Sequence, residues 1–92
     1  MRNLWDDEQF DIDIPPDEPI FALNVVCGLL DMQYWTLHQI IEEGLIELAE
    51  RKKNKKLFSF QDVRRLKYIQ YLMDEKGVNI QGVRVILEIE ET

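Results

Sequence analysis

Apolar residues recur every three or four positions in four stretches of the chain, a spacing that predicts four amphipathic helices. The expected spans are about Asn24–Leu30, Tyr34–Glu43, Ser59–Lys76 and Ile80–Glu90. The first two are separated only by a short turn at residues 31–33. Two helices joined by so short a turn have the layout of a helix-turn-helix, in which the second helix is presented outward for recognition.

The residues at the expected helix ends fit these spans. Ser59 and Asp62 form a Ser-x-x-Asp capping signature that opens the third helix. Asp31 stands where the chain must turn sharply, and aspartate tolerates the left-handed conformation better than most residues. Further N-caps are expected at Asn24 and Asn79, and helix stops at Gly44 and Gly77.

Between the second and third helices, apolar and polar residues alternate on both sides of a lysine-rich turn. The alternation covers residues 45–51 and 56–58 and predicts a short two-stranded hairpin. A hairpin that follows a helix-turn-helix is a wing, and its tip would carry Arg51 to Lys56. The predicted fold class is therefore mainly α: a winged helix-turn-helix with about four helices and a short β-hairpin wing.

The apolar helix faces predict both a core and an interface. Ninety-two residues, 46% of them apolar, make one small domain. The core is expected from Val25, Val26, Leu29, Leu30, Leu37, Ile40, Ile41, Val63, Leu66, Ile69, Met73, Ile80, Val83, Ile86 and Leu87. Val85 and Ile89 add apolar surface on another side of the fourth helix. Together with Tyr68 and Leu72, they predict a homodimer through the C-terminal helices.

The formal charge of −7 is unevenly distributed along the chain. Residues 1–19 hold seven acids and one base, whereas residues 51–67 hold eight bases and one acid. The chain is acidic overall but contains a local basic patch. This patch is the part of the sequence whose charge suits binding to nucleic acid. Residues 20–50, in contrast, contain five acids and no Lys or Arg, although a helix that enters a DNA groove usually carries bases.

Residues 1–19 are expected to form a flexible acidic tail, and residues 20–92 the folded domain. The first segment ends in Pro15-Pro16 and Pro19 and has no helical spacing. Two interpretations of it remain open. It is either a terminus whose few hydrophobic residues dock loosely, or a linear peptide that binds a partner or covers the basic patch.

The single cysteine, Cys27, lies in an apolar run and excludes a disulfide within the chain. A small buried core residue is the favoured interpretation, and a reactive thiol is the alternative. A reducing, cytoplasmic compartment is therefore expected. No apolar run approaches the ~18 residues of a membrane span, and no signal-peptide pattern opens the chain.

Four local patterns, in this order and at these spacings, resemble the MerR family of winged helix-turn-helix regulators, especially its heat-shock repressor branch (HspR). They are F-A-L-N-V-V at 21–26, T-L followed by E-G-L-I at 36–46, F-S with D-V and L at 58–66, and G-V-N-I-Q-G-V with I-L at 77–87. The resemblance covers residues 20–91. It implies sequence-specific binding of double-stranded DNA in bacterial transcription regulation, and the HspR branch implies a repressor.

The chain departs from the MerR pattern at positions that normally contact DNA. His38 and Gln39 stand where the family usually has Arg beside Tyr, and Trp35 replaces a residue that is often basic or polar. The chaperone-modulator group (CbpM) fits some of these losses, because it resembles a MerR domain that binds a J-domain co-chaperone instead of DNA. The alternative function is therefore a protein-interaction adaptor that has lost DNA binding.

In the DNA-binding interpretation, the second helix enters the major groove while the wing and the start of the third helix contact phosphates. The candidate DNA-binding residues at the second helix are Gln33, Tyr34, Trp35, Thr36, His38 and Gln39. Those of the wing and third helix are Arg51, Lys52, Lys53, Lys55, Lys56, Arg64 and Arg65. The alternatives are a partly packed helix or a protein-binding hot spot for the first set, and solvated charge for the second.

Enzyme chemistry has no support in the sequence. It contains no glycine-rich phosphate loop, no Ser/His/Asp set and no cysteine–histidine pairing. His38 has no second metal ligand nearby, so a zinc site is not expected. The predicted partners are double-stranded DNA, a second copy of the chain and, for the adaptor, a chaperone or co-chaperone; no cofactor and no membrane are expected.

Overall fold

The computed structural model describes residues 14–47, 49–51 and 55–91, with the backbone alone for strand residues 49–51 and 55–56. The elements follow in the order α1 Leu23–Leu30, α2 Tyr34–Glu42, β1 Ala49–Arg51, β2 Lys55–Leu57, α3 Phe60–Asp74 and α4 Ile80–Glu90. Over these described residues, the prediction of a mainly α fold with four helices is confirmed. The helix ends lie within one or two residues of the predicted positions.

The two strands are short and pair antiparallel, with Ala49 opposite Leu57. Residues 52–54, which join them and include the tip of the predicted wing, lie outside the described residues. The predicted start of the first strand at residue 45 is wrong, because Leu45 and Ile46 form a buried bend after α2. Their side chains pack into the core, and the pairing begins only at Ala49.

A backbone bridge ties the segment before α1 to the end of β2. Phe58 N–H donates to the Phe21 carbonyl over 2.8 Å, and Phe21 N–H donates back to the Phe58 carbonyl over 2.9 Å. The Phe58 side chain is completely buried. The expected N-cap at Asn24 is wrong: α1 begins at Leu23, after Ala22, and no side chain caps it.

The other helix ends follow local side-chain chemistry. Ser59 and Asp62 form a reciprocal capping box, in which Asp62 N–H donates to Ser59 Oγ and Ser59 N–H donates to Asp62 Oδ2. Asn79 Oδ1 accepts from Gly82 N–H over 2.8 Å. Asp31 ends α1 in the left-handed conformation at φ 51°. All three predictions are confirmed, since each of these helix ends depends on residues close in sequence.

The core lies between α1, α2, α3, α4 and the backbone bridge of Phe21 and Phe58. Its buried apolar side chains are Val26, Met32, Leu37, Ile40, Leu45, Ile46, Phe58, Val63, Leu66, Ile69, Leu72, Val83 and Leu87. The expectation that Val25 and Leu29 belong to it is wrong, since they are 44% and 45% exposed. The short helix α1 buries only a narrow stripe, through Val26, and these two residues lie on the neighbouring stripe.

The prediction that Leu72 contributes to a dimer interface is also wrong. It is only 6% exposed, so it cannot supply the apolar surface that was expected of it in a dimer interface. Leu72 shares a side of α3 with Leu66 and Ile69, at three-residue intervals, and this side faces the core. The other proposed interface residues, Val85, Ile89 and Tyr68, are exposed.

The end of the expected tail contacts the folded domain. The Pro16 carbonyl accepts from Gln61 N–H, in the first turn of α3, over 3.0 Å, and Ile20 N–H donates to the Phe58 carbonyl over 3.0 Å. Residues 1–13, with five of the seven acids of the expected tail, lie outside the described residues. The division into a tail at 1–19 and a domain at 20–92 therefore stays a prediction.

Cys27 is half-buried and packs against the core, and its burial raises the pKa of the thiol. A raised pKa lowers the thiolate fraction at neutral pH and so lowers reactivity. In the described part of the chain, no group of three His, Cys, Asp or Glu residues is placed to hold a metal ion. No helix among the same residues has the length and apolar character to span a membrane.

Candidate nucleic-acid interface

Helix α2 divides into a buried side and an exposed side. Leu37 and Ile40 are completely buried and anchor it to the core. The opposite side carries Tyr34, Trp35, His38, Gln39 and Glu42, all of them exposed. These five residues, here called the α2 outer face, recur at intervals that keep them on one side of a helix. The structure thus brings four of the six predicted residues of the second helix together on one surface.

One row of the α2 outer face is held by its own contacts. The ring of Tyr34 stacks on His38, with ring centres 5.9 Å apart and planes 9° from parallel. His38 Nε2 lies 2.7 Å from Glu42 Oε1. The three residues follow one another at four-residue intervals, so they form a continuous line along the helix. The imidazole and the carboxylate of this row are therefore already engaged with each other.

The second row of the α2 outer face is Trp35 and Gln39. Trp35 is 67% exposed, the most open large aromatic side chain among the described residues. Gln39 stands four residues further on and is also exposed. Within the described ranges, neither side chain makes a hydrogen bond or a ring contact. This row is therefore available to an external partner.

Gln33 and Thr36 lie at the edge of the α2 outer face. Gln33 is the N-cap residue of α2 in an extended conformation. Both residues line a cleft between the helix-turn-helix and α3, whose other walls are Asp31, Met32, Gln70, Met73 and Asp74. Thr36 is half-buried there. The structure thus turns Thr36 toward α3 and leaves Trp35 and Gln39 as the outward pair.

Long-range hydrogen bonds fix α2 in this orientation. Arg84 Nη2, from α4, donates to the Glu43 carbonyl over 2.5 Å and to Glu43 Oε2 over 2.6 Å. Arg65 Nε, from α3, donates to the Leu45 carbonyl over 2.6 Å. Both arginines thus serve carbonyls at the C-terminal end of α2, where cations are favourable. A third bond, from Gln70 Nε2 to the Leu30 carbonyl over 2.8 Å, fixes the end of α1.

The sequence reasoning missed Arg84 and assigned Arg65 differently. Arg65 was expected to contact phosphate, but its guanidinium also pairs with the Glu91 carboxylate. Its Nε and Nη1 are thus engaged within the fold, whereas the neighbouring Arg64 is exposed. One sequence signal was available: α2 has no base in its last turn, so its unpaired carbonyls need donors from elsewhere.

The basic residues of the predicted wing are placed only by the backbone. Arg51 lies opposite Lys55, and Lys56 lies opposite Glu50, in the β1–β2 pairing. Lys52 and Lys53 fall outside the described residues. The segment after β2 reaches the first residue of α3 through Phe58 and Ser59 alone, so the strand pair is attached directly to the core.

We expect Arg84→Ala to lower the free energy of unfolding by about 1–2 kcal/mol, because it removes a charge-assisted bond and leaves the Glu43 carbonyl without a donor. The loss is kept modest because the ion pair is partly exposed. Thermal denaturation should show a drop of about 5–15 °C in Tm. Arg64→Ala, which removes an exposed arginine, is the matched control. Equal losses in the two variants would remove Arg84 from the contacts that position α2.

The fold and the site define a class: a helix-turn-helix domain whose second helix is exposed and whose chain continues into a strand pair. Residues 21–89 match the family described as MerR HTH family regulatory protein. The chain belongs to the MerR family, as its sequence patterns predicted.

The chain is also similar to named bacterial proteins. It is 32% identical over 73 residues to the HTH-type transcriptional regulator GlnR of Bacillus anthracis, a match that covers 79% of this chain and 56% of the relative. It is 26% identical over 78 residues to the putative heat shock protein HspR of Streptomyces coelicolor, covering 85% of this chain and 52% of the relative. The chain spans about half the length of the curated relatives it matches.

Proposed function

We propose that this protein binds double-stranded DNA sequence-specifically through α2 and acts in the regulation of bacterial transcription. The observation that carries the proposal is the α2 outer face, an exposed surface on a MerR-family helix-turn-helix. The helix is anchored on its other side by buried Leu37 and Ile40 and held at its end by Arg65 and Arg84. A rigidly mounted exposed helix is what major-groove reading requires.

The distribution of charge implies different roles in DNA binding for α2 and for the strand pair. Because residues 20–50 contain no Lys or Arg, α2 cannot supply the attraction to phosphates. That attraction has to come from Arg51, Lys52, Lys53, Lys55 and Lys56, with exposed Arg64 as a further contact. In this proposal the β1–β2 pair is the wing, its cations hold the DNA backbone and α2 reads the bases.

A repressor in the bacterial cytoplasm is the specific form we propose. Repression by occupying an operator needs only tight DNA contact. The resemblance of residues 77–87 to the heat-shock repressor branch of the family motivates this form of the proposal.

A salt-dependent titration tests the proposed function. The chain is titrated against a fluorescent random-sequence duplex of about 20 base pairs, starting at ~50 mM salt, where electrostatic binding is strong. DNA binding predicts that the logarithm of the association constant falls linearly with the logarithm of salt concentration, by about 0.9 for each phosphate neutralised. No measurable binding at ~50 mM salt would contradict the proposal.

Trp35 and Tyr34, 67% and 58% exposed, favour one alternative: a protein-interaction adaptor of the chaperone-modulator kind. Two exposed aromatic side chains on a helix without bases suit a protein hot spot. In that case the chain would show no measurable binding to duplex DNA at ~50 mM salt. It would instead bind a J-domain co-chaperone, and Trp35→Ala would abolish that binding.

A homodimer through α4 is the third part of the proposal. Val85 and Ile89 are 53% and 68% exposed and lie four residues apart on α4. Next to Ile89, Glu90 Oε2 accepts from the Tyr68 hydroxyl over 2.7 Å, which places Tyr68 beside this surface. That bond raises the pKa of Tyr68. Two copies paired in this way would present two α2 helices to two half-sites.

Sedimentation equilibrium checks the dimer. At ~100 μM, where even modest affinities are populated, we expect a mass of about twice the 11.0 kDa chain. Replacing Val85 and Ile89 with Asp should return the protein to a monomer, because two charges would be buried at the interface. Val25→Asp, at an exposed valine of α1, is the matched control and should leave the dimer intact. A monomer of the unmodified chain at this concentration would contradict the interface.

A further inference from the structure

The chemistry available on α2 limits which bases it can read. Guanine is most often read by Arg or Lys, whose donors match its two major-groove acceptors. The chain offers neither residue between positions 20 and 50, so no part of the helix-turn-helix can make that contact. Any guanine read by α2 would need another donor.

Two other side chains of α2 could hydrogen-bond to a G·C pair, and these two side chains contact each other. An imidazole N–H can donate to a guanine acceptor, and a carboxylate can accept from the cytosine amino group. On α2 these groups belong to His38 and Glu42, whose Nε2 and Oε1 atoms are 2.7 Å apart. Stacking of Tyr34 on His38 further fixes the imidazole in that position. Reading a G·C pair through Nε2 of His38 or Oε1 of Glu42 would require breaking this contact.

The second row of the α2 outer face, Trp35 and Gln39, has side chains that complement an A·T pair. Glutamine pairs with adenine through two hydrogen bonds, and apolar side chains contact the thymine methyl group. Gln39 supplies the amide, and Trp35, 67% exposed, supplies a large apolar ring that faces water in the free protein. Four residues of helix advance about 6 Å, roughly two base-pair steps of about 3.4 Å, so the two side chains can reach nearby pairs in one groove.

We propose that α2 is an A·T reader, in which Gln39 recognises adenine and the indole of Trp35 packs on a thymine methyl group. The inference rests on the proposed DNA binding and adds its specificity. Trp35, one of the residues that depart from the family's DNA-contacting pattern, thereby becomes a determinant of base choice. Affinity comes from the wing, and base discrimination comes from the Trp35–Gln39 row.

A binding selection followed by thymine-to-uracil replacement tests the inference. The full chain is used to select from a library of duplexes with about 20 random base pairs. We expect enriched half-sites that are rich in A·T pairs. Replacing each thymine by uracil removes only its methyl group. At the thymine that contacts Trp35, this should weaken binding by about fourfold, the effect of one buried methyl group.

Variants of Trp35 assign that effect to the ring. In Trp35→Ala, the uracil penalty should vanish at one thymine and persist elsewhere, whereas Trp35→Phe should retain it. Because Trp35 is exposed, neither change should unfold the domain, and thermal denaturation verifies this. Selection of G·C-rich half-sites, or an equal uracil penalty in Trp35→Ala, would overturn the inference and leave the DNA-binding function standing. No enrichment of any duplex at ~50 mM salt would overturn both.

Discussion

Replacement of Lys52, Lys53, Lys55 and Lys56 with Ala is expected to weaken duplex binding on the order of 100-fold at 0.1 M salt, largely regardless of sequence. The reason is the charge distribution: residues 51–67 hold eight bases, and α2 holds none. For each phosphate that the variant no longer neutralises, the log–log salt slope should also become shallower by about 0.9. Stability should barely change, since charges at a hairpin tip contribute little.

Two measurements separate charge from shape in this experiment. Replacing the same four lysines with arginine keeps the charge, so the salt slope should stay close to that of the unmodified chain. Circular dichroism of the alanine variant should show intact helices. A quadruple alanine variant with an unchanged slope would remove the strand pair from the DNA interface and leave the basic segment as a solvated turn.

Phe58→Ala is expected to lower the free energy of unfolding by about 3–5 kcal/mol, the usual cost of truncating a buried aromatic residue. Phe58 is completely buried, and its backbone forms the bridge to Phe21 at the end of β2. A domain of this size has a total stability of roughly 5–14 kcal/mol. The variant should therefore melt at least about 15 °C lower and be partly unfolded near physiological temperature.

Phe60→Ala, two residues further along the chain, provides the matched control for Phe58. Phe60 is only half-buried, although its ring packs edge-on against Phe21 at 5.0 Å. Truncation there should cost less, about 1–2 kcal/mol, since part of the side chain is already in contact with water. Equal midpoints for the two variants in urea denaturation would contradict the central place of Phe58 in the core.

Local chemistry explains why much of the fold was predictable. The capping box of Ser59 and Asp62 and the left-handed turn at Asp31 each depend on residues a few positions apart. The buried side of α2 follows from the spacing of Leu37 and Ile40, and its exposed side follows as the complement. The MerR membership was predictable for the same reason, since each of its patterns lies within about eleven residues of sequence.

Contacts between distant residues explain what was missed. Arg84 and Glu43 are 41 positions apart, and Arg65 and Leu45 are 20 apart, so no periodicity joins them. Which of two neighbouring apolar stripes is buried also depends on the packing partner. The spacing alone could not tell Val26 from Val25 on α1, or Leu72 from Tyr68 on α3. The contact between His38 and Glu42, in contrast, could have been predicted from the sequence, because a four-residue interval on a helix brings such side chains together.

The most direct test of the central claim is to map amide chemical shifts by NMR as duplex DNA is added to the ¹⁵N-labelled chain at ~50 mM salt, a condition that favours binding. The proposed function predicts that the largest changes fall on α2, at Trp35, His38 and Gln39, and on the strands that carry Arg51 and Lys55. The face of α4 around Val85 should change little. Shifts confined to α4, or no shifts at all in this low-salt buffer, would contradict the proposal that this protein reads DNA with α2.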